Sequence, residues 1–249
     1  MPITLKKKSN AAKTALPPEL EQCFSEAVLK LASGLDLSNH STRTPIGWVM
    51  DGSPSMTGFT QLQLNSAQFM VEDLRKIDST ARSVMMNIVQ LGTPSVTTGF
   101  HELAKFQVPP LHVASSTPLH TALDLMTNEL GALCSDLRAH GIERTDSVVI
   151  ITTDGGANDF GPGVLDKSID AFLGIGKKWS MTNLVVGVGS KLNEDLLKKL
   201  ANVIPPLQIE ELNAAVLMPF IQKIARQVSE SRRGQKIELE LPDGIETIE

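Results

Sequence analysis

The sequence predicts an α/β fold: a doubly wound, mostly parallel central sheet with helices on both faces. Three observations predict it. Short, nearly continuous apolar runs recur at 46–50, 84–91, 147–151 and 184–188, which is how strands covered on both faces read. Amphipathic helical stripes separate these runs, as parallel strands joined by crossover helices require. The length of 249 residues, with 41% hydrophobic and 20% charged, provides core for one large domain and argues against disorder, a collagen-like chain or a coiled coil.

Residues 1–16 carry Lys6, Lys7, Lys8 and Lys13 with no acid and read as a basic tail. In 18–32, Leu20, Cys23, Phe24, Ala27, Val28 and Leu31 share one face of a helix, with Pro18 suited to its first turn and Gly34 to its stop. That face is expected to pack on the domain that follows, and a docking helix is the alternative. The segment 1–44 is therefore read as an N-terminal extension. The main domain is expected at 45–231, beginning with the strand at 46–50. Ala67, Met70, Val71, Leu74 and Ile77 mark the next helix, 84–91 the second strand and 95–101 the third. Pro118 opens a helix striped by Leu119, Ala122, Leu123, Met126, Leu130, Leu133 and Leu137 and stopped at Gly141. The run 147–151 is the most strand-like in the chain. A helix at 164–173, a strand at 184–188, a helix at 193–201, a strand at 207–210 and a helix through about 228 complete the series. Pro219 either begins or kinks that last helix. The segment 232–249 is a tail or an edge strand, with Ile237, Leu239 and Leu241 alternating with charges before a Pro242-Asp243-Gly244 turn.

Charge narrows the function. The net charge is −5, which argues against a dedicated nucleic-acid binder. The basic N-terminus nets +4 and the tail 231–249 nets −2, which leaves the middle at −7. No apolar stretch follows the N-terminal lysines as in a signal peptide, and no run reaches the ~18 residues of a membrane span. Two cysteines, Cys23 and Cys134, exclude a disulfide scaffold. The expectation is a soluble, cytoplasmic protein without a membrane span.

Several familiar site motifs are absent. Gly187-Val188-Gly189-Ser190-Lys191-Leu192 lacks the third glycine of a dinucleotide fingerprint, and a plain strand-to-helix turn explains it. Gly174-Ile175-Gly176-Lys177-Lys178 lacks both the upstream glycine and the Ser/Thr of a phosphate loop. Asp51-Gly52-Ser53-Pro54-Ser55 is no nucleophile elbow. None of His40, His101, His112, His120 and His140 has metal-ligand spacing to another His or Cys.

One constellation remains. Ligands of doubly wound sheets bind beyond the carboxyl ends of the strands. Asp51, Ser53 and Ser55 follow the first strand, Thr117 precedes a helix, and Asp154 follows the strongest strand in Thr152-Thr153-Asp154-Gly155-Gly156. Each has an ordinary structural reading: Ser53, Ser55 and Thr117 as helix caps, and Asp154-Gly155 as a turn. Together they place two aspartates at the ends of neighbouring strands, among hydroxyls. Two close carboxylates repel and shift their titration, and a cation relieves this. An all-oxygen donor set suits Mg2+, Mn2+ or Ca2+.

Asp-x-Ser-x-Ser after the first strand, a later Thr before a helix and a later Thr-Asp-Gly resemble the metal-ion-dependent adhesion site of von Willebrand factor A domains. The resemblance runs from about 45 to 230. It implies a Rossmann-like sheet of strand order 3-2-1-4-5-6 with one antiparallel edge strand, the six strands above being counted in chain order. It implies that Ser53, Ser55 and Thr117 bind the metal directly, that Asp51 and Asp154 act mainly through water, and that one coordination position is left for a partner's acidic side chain. Pro54 stands where glycine is usual, Gly52 where Thr or Ser is common, and Ser115-Ser116 where two glycines are. Phe-Gln-Val-Pro-Pro-Leu at 106–111, Ser-Thr-Pro-Leu-His-Thr-Ala-Leu at 116–123 and Thr-Thr-Asp-Gly-Gly-Ala-Asn-Asp at 152–159 are most similar to the small bacterial intracellular members encoded in tellurite-resistance operons.

The expected function is a non-enzymatic, metal-dependent protein-interaction module that grips a partner's Asp or Glu, in a bacterial tellurite-resistance or stress-response assembly. One alternative is a partner subunit of a chaperone-type ring ATPase, which would ask for a long extra domain. Another is a metal-dependent hydrolase built on Asp51, Asp154 and a bound water, for which no histidine or lysine is placed as general base.

Overall fold

The computed structural model describes residues 39, 41–92, 94–111, 117–157, 161–209, 219–221, 223–224, 227, 241–243 and 245–248. The chain divides into two compact units, Met1–Ala32 and Ser33–Glu249, and every described residue belongs to the second. The basic tail, the amphipathic stretch 18–32, Ser115, Ser116 and the alternation at 237–240 lie outside the described residues, as does most of the segment around Pro219.

The sheet is the one the strand runs predict. Strand β1 (Thr44–Asp51) pairs in parallel with β2 (Val84–Leu91) on one side and with β5 (Ser147–Thr153) on the other. Beyond β5 come β6 (Met181–Val188) and β7 (Leu207–Ile209), both parallel. Helix α1 (Thr57–Arg75) and the short α2 (Asp78–Ser83) connect β1 to β2. Helix α3 (Leu119–Ala139) precedes β5, α4 (Val164–Trp179) precedes β6, and α5 (Glu194–Leu200) precedes β7.

Both edges of the sheet are antiparallel, where one such edge is implied by the resemblance. At the first edge the expected strand 95–101 is two short pieces, β3 (Val96–Thr97) and β4 (His101–Glu102), both paired with β2. Val89 faces Thr97 whereas Met86 faces His101, so the edge strand holds one residue more than β2 between those pairs. This is a β-bulge, and Gly99 takes the left-handed conformation (φ +69°) that it needs. At the other edge, β8 (Glu246–Thr247) pairs with β7.

Residue parity sorts the two faces, because successive strand side chains alternate. Ile46, Trp48 and Met50 of β1, with Val148 and Ile150 of β5, pack beneath α1 through Ala67, Met70, Val71 and Leu74, together with Phe220, Ile221 and Ile224. Val49, Met85, Val89, Val149, Ile151 and Val185 face the other way, onto α3, α4 and α5 through Leu123, Met126, Phe172 and Leu197. Helix α4 runs past the expected end at 173 because its buried stripe continues through Gly176 to Trp179. It stops at Ser180 (φ 52°), with Lys177 and Lys178 in its last turn where cations complement the helix dipole.

A buried ion pair fastens the start of β1 to the bulged edge. The fully buried Arg43 donates to Glu102 at 2.8 Å and also to the carbonyls of Arg82 and Asn39. Removing one partner of such a pair leaves an uncompensated charge, at a cost of about 3–5 kcal/mol. Glu102→Ala is expected at the low end of that range, about 3 kcal/mol, because Arg43 keeps its two carbonyls. Equilibrium denaturation of the variant against wild type checks this.

Candidate metal site

Chain order places the site. From β1 the chain goes outward through α1 to β2, then crosses back to lay β5 against the opposite side of β1. In such sheets the crevice at this reversal, beyond the carboxyl ends of the strands, is where ligands bind. Met50 is level with Thr152, so Asp51 and Thr153 end their strands side by side.

The geometry around Asp51 follows from that pairing. Its side chain is wholly buried. One carboxylate oxygen accepts from the Ser53 backbone N–H at 2.8 Å, and the other accepts from the Thr153 hydroxyl at 2.6 Å. The Thr153 oxygen in turn accepts from the Gly155 N–H at 3.0 Å. The chain then enters a single turn of 3-10 helix, Pro54–Met56, whose start suits the fixed φ of Pro54. The Ser53 and Ser55 hydroxyl oxygens lie 3.0 Å apart, with Ser53 buried and Ser55 exposed. Neither serine caps a helix through its side chain, so the capping reading of this pair does not apply.

Asp154 is half-buried and accepts from the Gly156 N–H at 2.8 Å. Gly155 makes the turn between them with φ +79°, and a side chain there would meet Asn193 within 3.0–3.3 Å. Asn193 caps α5 by accepting from the Leu196 N–H, and its own N–H reaches the Asp154 carbonyl at 3.4 Å. The loops after β5 and β6 are thereby tied together.

Thr117 reaches the same edge by the direction of α3. Cys134 lies close enough to Ser147, at the start of β5, for that residue to act on its thiol, whereas Met126 lies over Gly47, which is level with Val149 two positions further along that strand. The helix therefore runs opposite to the strands. From Met126 back to Leu119 is about 10 Å of helix, against about 13 Å of strand from Gly47 to Asp51. Thr117, buried, precedes α3 at the carboxyl edge. It is not the helix N-cap; that position is Pro118. His120 is half-buried on the first turn, its ring 3.2 Å from the Thr121 hydroxyl.

At the level of sequence, no protein-family model matches the chain and no curated protein matches it significantly. Solved structures do match. A von Willebrand factor type A protein from Catenulispora acidiphila aligns over 76% of this chain and 43% of its own, with 17% identity and a TM-score of 0.55. The pilus adhesin SpaC from Lactobacillus rhamnosus GG aligns over 76% and 30%, with 10% identity and a TM-score of 0.57. Proximal thread matrix protein 1 from the mussel byssus, solved with a zinc-occupied MIDAS motif, aligns over 74% and 48%, with 15% identity and a TM-score of 0.51. The chain has the von Willebrand factor A fold. It spans less than half the length of each of these three proteins.

Within the von Willebrand factor A fold, the structure joins Asp51, Ser53 and Ser55 directly, sets Asp154 close enough for its charge to act on Asp51, and orients α3 so that Thr117 arrives at the same edge. Sequence reasoning missed the Thr153 hydroxyl, which it passed over between two other residues of the strand end. It also missed Gln63 of α1, whose side-chain N–H donates to the Asp51 carbonyl at 2.9 Å. The signal for Gln63 was present: a polar residue in the apolar stripe that runs through Ala67, Met70 and Leu74.

Burial pushes the Asp51 carboxyl above the ordinary aspartate value of 3.8; the hydrogen bonds from Thr153 and Ser53 oppose this, and the Asp154 charge adds to it. Among the described residues, neither aspartate pairs with a basic side chain. A folded carboxyl that holds its proton more tightly than the unfolded one contributes stability at low pH, and this is lost as pH rises through the folded value. In EDTA, the melting temperature of Asp51→Asn relative to wild type is therefore expected to rise as pH increases from the ordinary aspartate value of 3.8 through the folded value, and then to level off. A flat difference across that interval would contradict the assignment.

Proposed function

We propose that this chain is a non-enzymatic binding module that holds a divalent cation at the β1–β5 edge and uses it to grip an acidic side chain of a protein partner. One observation carries the reading. A buried carboxylate with both oxygens already oriented, Asp51, sits beside a second carboxylate and next to two adjacent serine hydroxyls. The donor set fits such an ion: every side-chain donor is a hard oxygen, and two carboxylates balance a 2+ charge. Asp51, Ser53, Ser55, Thr117 and Asp154 would hold it. Magnesium is the first choice, with manganese or calcium as the other hard cations. When bound, the ion supplies a Lewis-acidic anchor for a carboxylate.

The chain's own residues do the rest. The Ser53 N–H and the Thr153 hydroxyl fix the Asp51 oxygens in advance, which lowers the ordering cost of binding. The negative field of Asp51 and Asp154 repels a partner's carboxylate everywhere except at the cation, so selectivity and ion dependence come from the same groups. The mussel protein solved with zinc in its MIDAS motif supports a divalent-ion site on this fold. The segments 106–111, 116–123 and 152–159 support a place in a bacterial tellurite-resistance or stress-response assembly in the cytoplasm. Among the described residues, no helix is long and apolar enough to cross a membrane.

Thermal melting tests this. At an ion concentration about 100 times its dissociation constant, wild type is expected to gain about 2.7 kcal/mol, read as a rise in melting temperature with Mg2+ or Mn2+ over EDTA. Asp51→Ala is expected to lose the increment. Indifference of wild type to millimolar divalent ions overturns the proposal.

A further inference from the structure

Gln63 occupies an inward position on α1 and is fully buried. An apolar side chain would fill that position, and a buried amide costs stability unless its polar atoms are bonded. Here they are, in a directional chain. The Trp48 indole N–H donates to the Thr152 hydroxyl at 3.2 Å, the Thr152 hydroxyl donates to the Gln63 carbonyl oxygen at 2.6 Å, and the Gln63 amide donates to the Asp51 backbone carbonyl at 2.9 Å. The orientation of the amide is determined by its partners. A backbone carbonyl only accepts, so the NH2 must face Asp51, and the oxygen then faces the single proton of Thr152.

This one amide touches both strands of the site. Asp51 ends β1 and Thr152 sits near the end of β5. The next residue on β5, Thr153, holds the Asp51 carboxylate, and Asp154 follows. Gln63 also closes the chain segment that begins at Asp51 and carries Ser53 and Ser55, because α1 follows that segment directly. Four of the five proposed ligands thus lie on two strand ends whose relative position passes through Gln63.

We infer that Gln63 is a positioning residue for the cation site, setting the spacing of its two carboxylate-bearing strand ends without itself touching the ion. The inference rests on the metal-site reading above. Outer partners of metal ligands are worth about 10–100-fold in metal affinity, and this is the effect expected of Gln63.

The test uses the full chain and Mn2+ alone as probe, with free Mn2+ counted by its electron paramagnetic resonance signal. Gln63→Met keeps the volume and removes both hydrogen bonds; Thr152→Val removes the middle link and carries the test if Gln63→Met does not fold. Leu74→Ala is the control. It lies on the same helix about 16 Å away, removes core packing and leaves the network intact. With folding verified by circular dichroism, the Mn2+ dissociation constant is expected to rise about 10–100-fold in Gln63→Met and Thr152→Val. It is expected to stay within about twofold in Leu74→Ala, as for a distant independent site. The double variant is expected to bind like the weaker single one, since both cut the same chain. Wild-type affinity in folded Gln63→Met, or equal weakening in Leu74→Ala, overturns the inference while leaving the metal site standing. Absence of Mn2+ binding in wild type overturns the metal-site reading itself and the inference with it.

Discussion

A carboxylate can be buried at the end of a strand only if donors meet both of its oxygens, and at Asp51 those donors come from two different segments. The Ser53 N–H is local, two residues on. The Thr153 hydroxyl belongs to another strand far away in the sequence and arrives only because β1 and β5 are parallel neighbours in one register. A slip of one residue would turn the Thr153 side chain to the opposite face of the sheet and leave the carboxylate half satisfied. The β1–β5 pairing is therefore a condition for the site as well as part of the core.

The two faces of the sheet contribute differently to that pairing. On the α1 face, Trp48, Thr152 and Gln63 set a short polar chain into an otherwise apolar layer. On the other face the Thr153 hydroxyl meets the Asp51 carboxylate at the strand ends, and the packing behind that bond is close. Gly47 leaves room for the Met126 side chain, where a Cβ would come within 2.7 Å of it, and Gly187 does the same for Leu192 and Leu197. Close packing on this face lets α3 lie low on β1 and carry Thr117 to the strand ends. Hydrogen bonds on both faces and close packing on the α3 face thus constrain the same strand pair. The opposite end is fastened separately, by the buried Arg43–Glu102 pair. Buried polar groups of this sort are costly when half satisfied and specify an arrangement when complete.

The von Willebrand factor A fold is shared here with proteins at 10–17% identity. Identities of that size carry architecture, through hydrophobic pattern and strand order, and leave surface chemistry free to differ. The carboxyl edge of this chain has its own details. Pro54 begins a 3-10 turn after Ser53, and the serine hydroxyls remain adjacent across it. A glutamine from the helix face supports the aspartate from below.

Much of this was legible in the sequence. Strand runs, helical stripes and the order of elements follow from local periodicity, and the Asp-x-Ser-x-Ser and Thr-Asp-Gly segments stand at strand ends in any reading of that periodicity. Helix and strand boundaries were less so. The bulge at Gly99 split one expected strand in two, and α4 continued past Gly174 because its buried stripe did. What the sequence determined by itself is the set of elements and the chemical character of the edge residues, since both depend on neighbours within a few positions. What only the tertiary structure decided is which distant groups complete the site: Thr153 on Asp51, Gln63 between the two strands, Asn193 against the Asp154 loop. Hydrogen bonds between residues so far apart in the chain leave no periodic trace, and they exist only once strand order and register have brought their partners level.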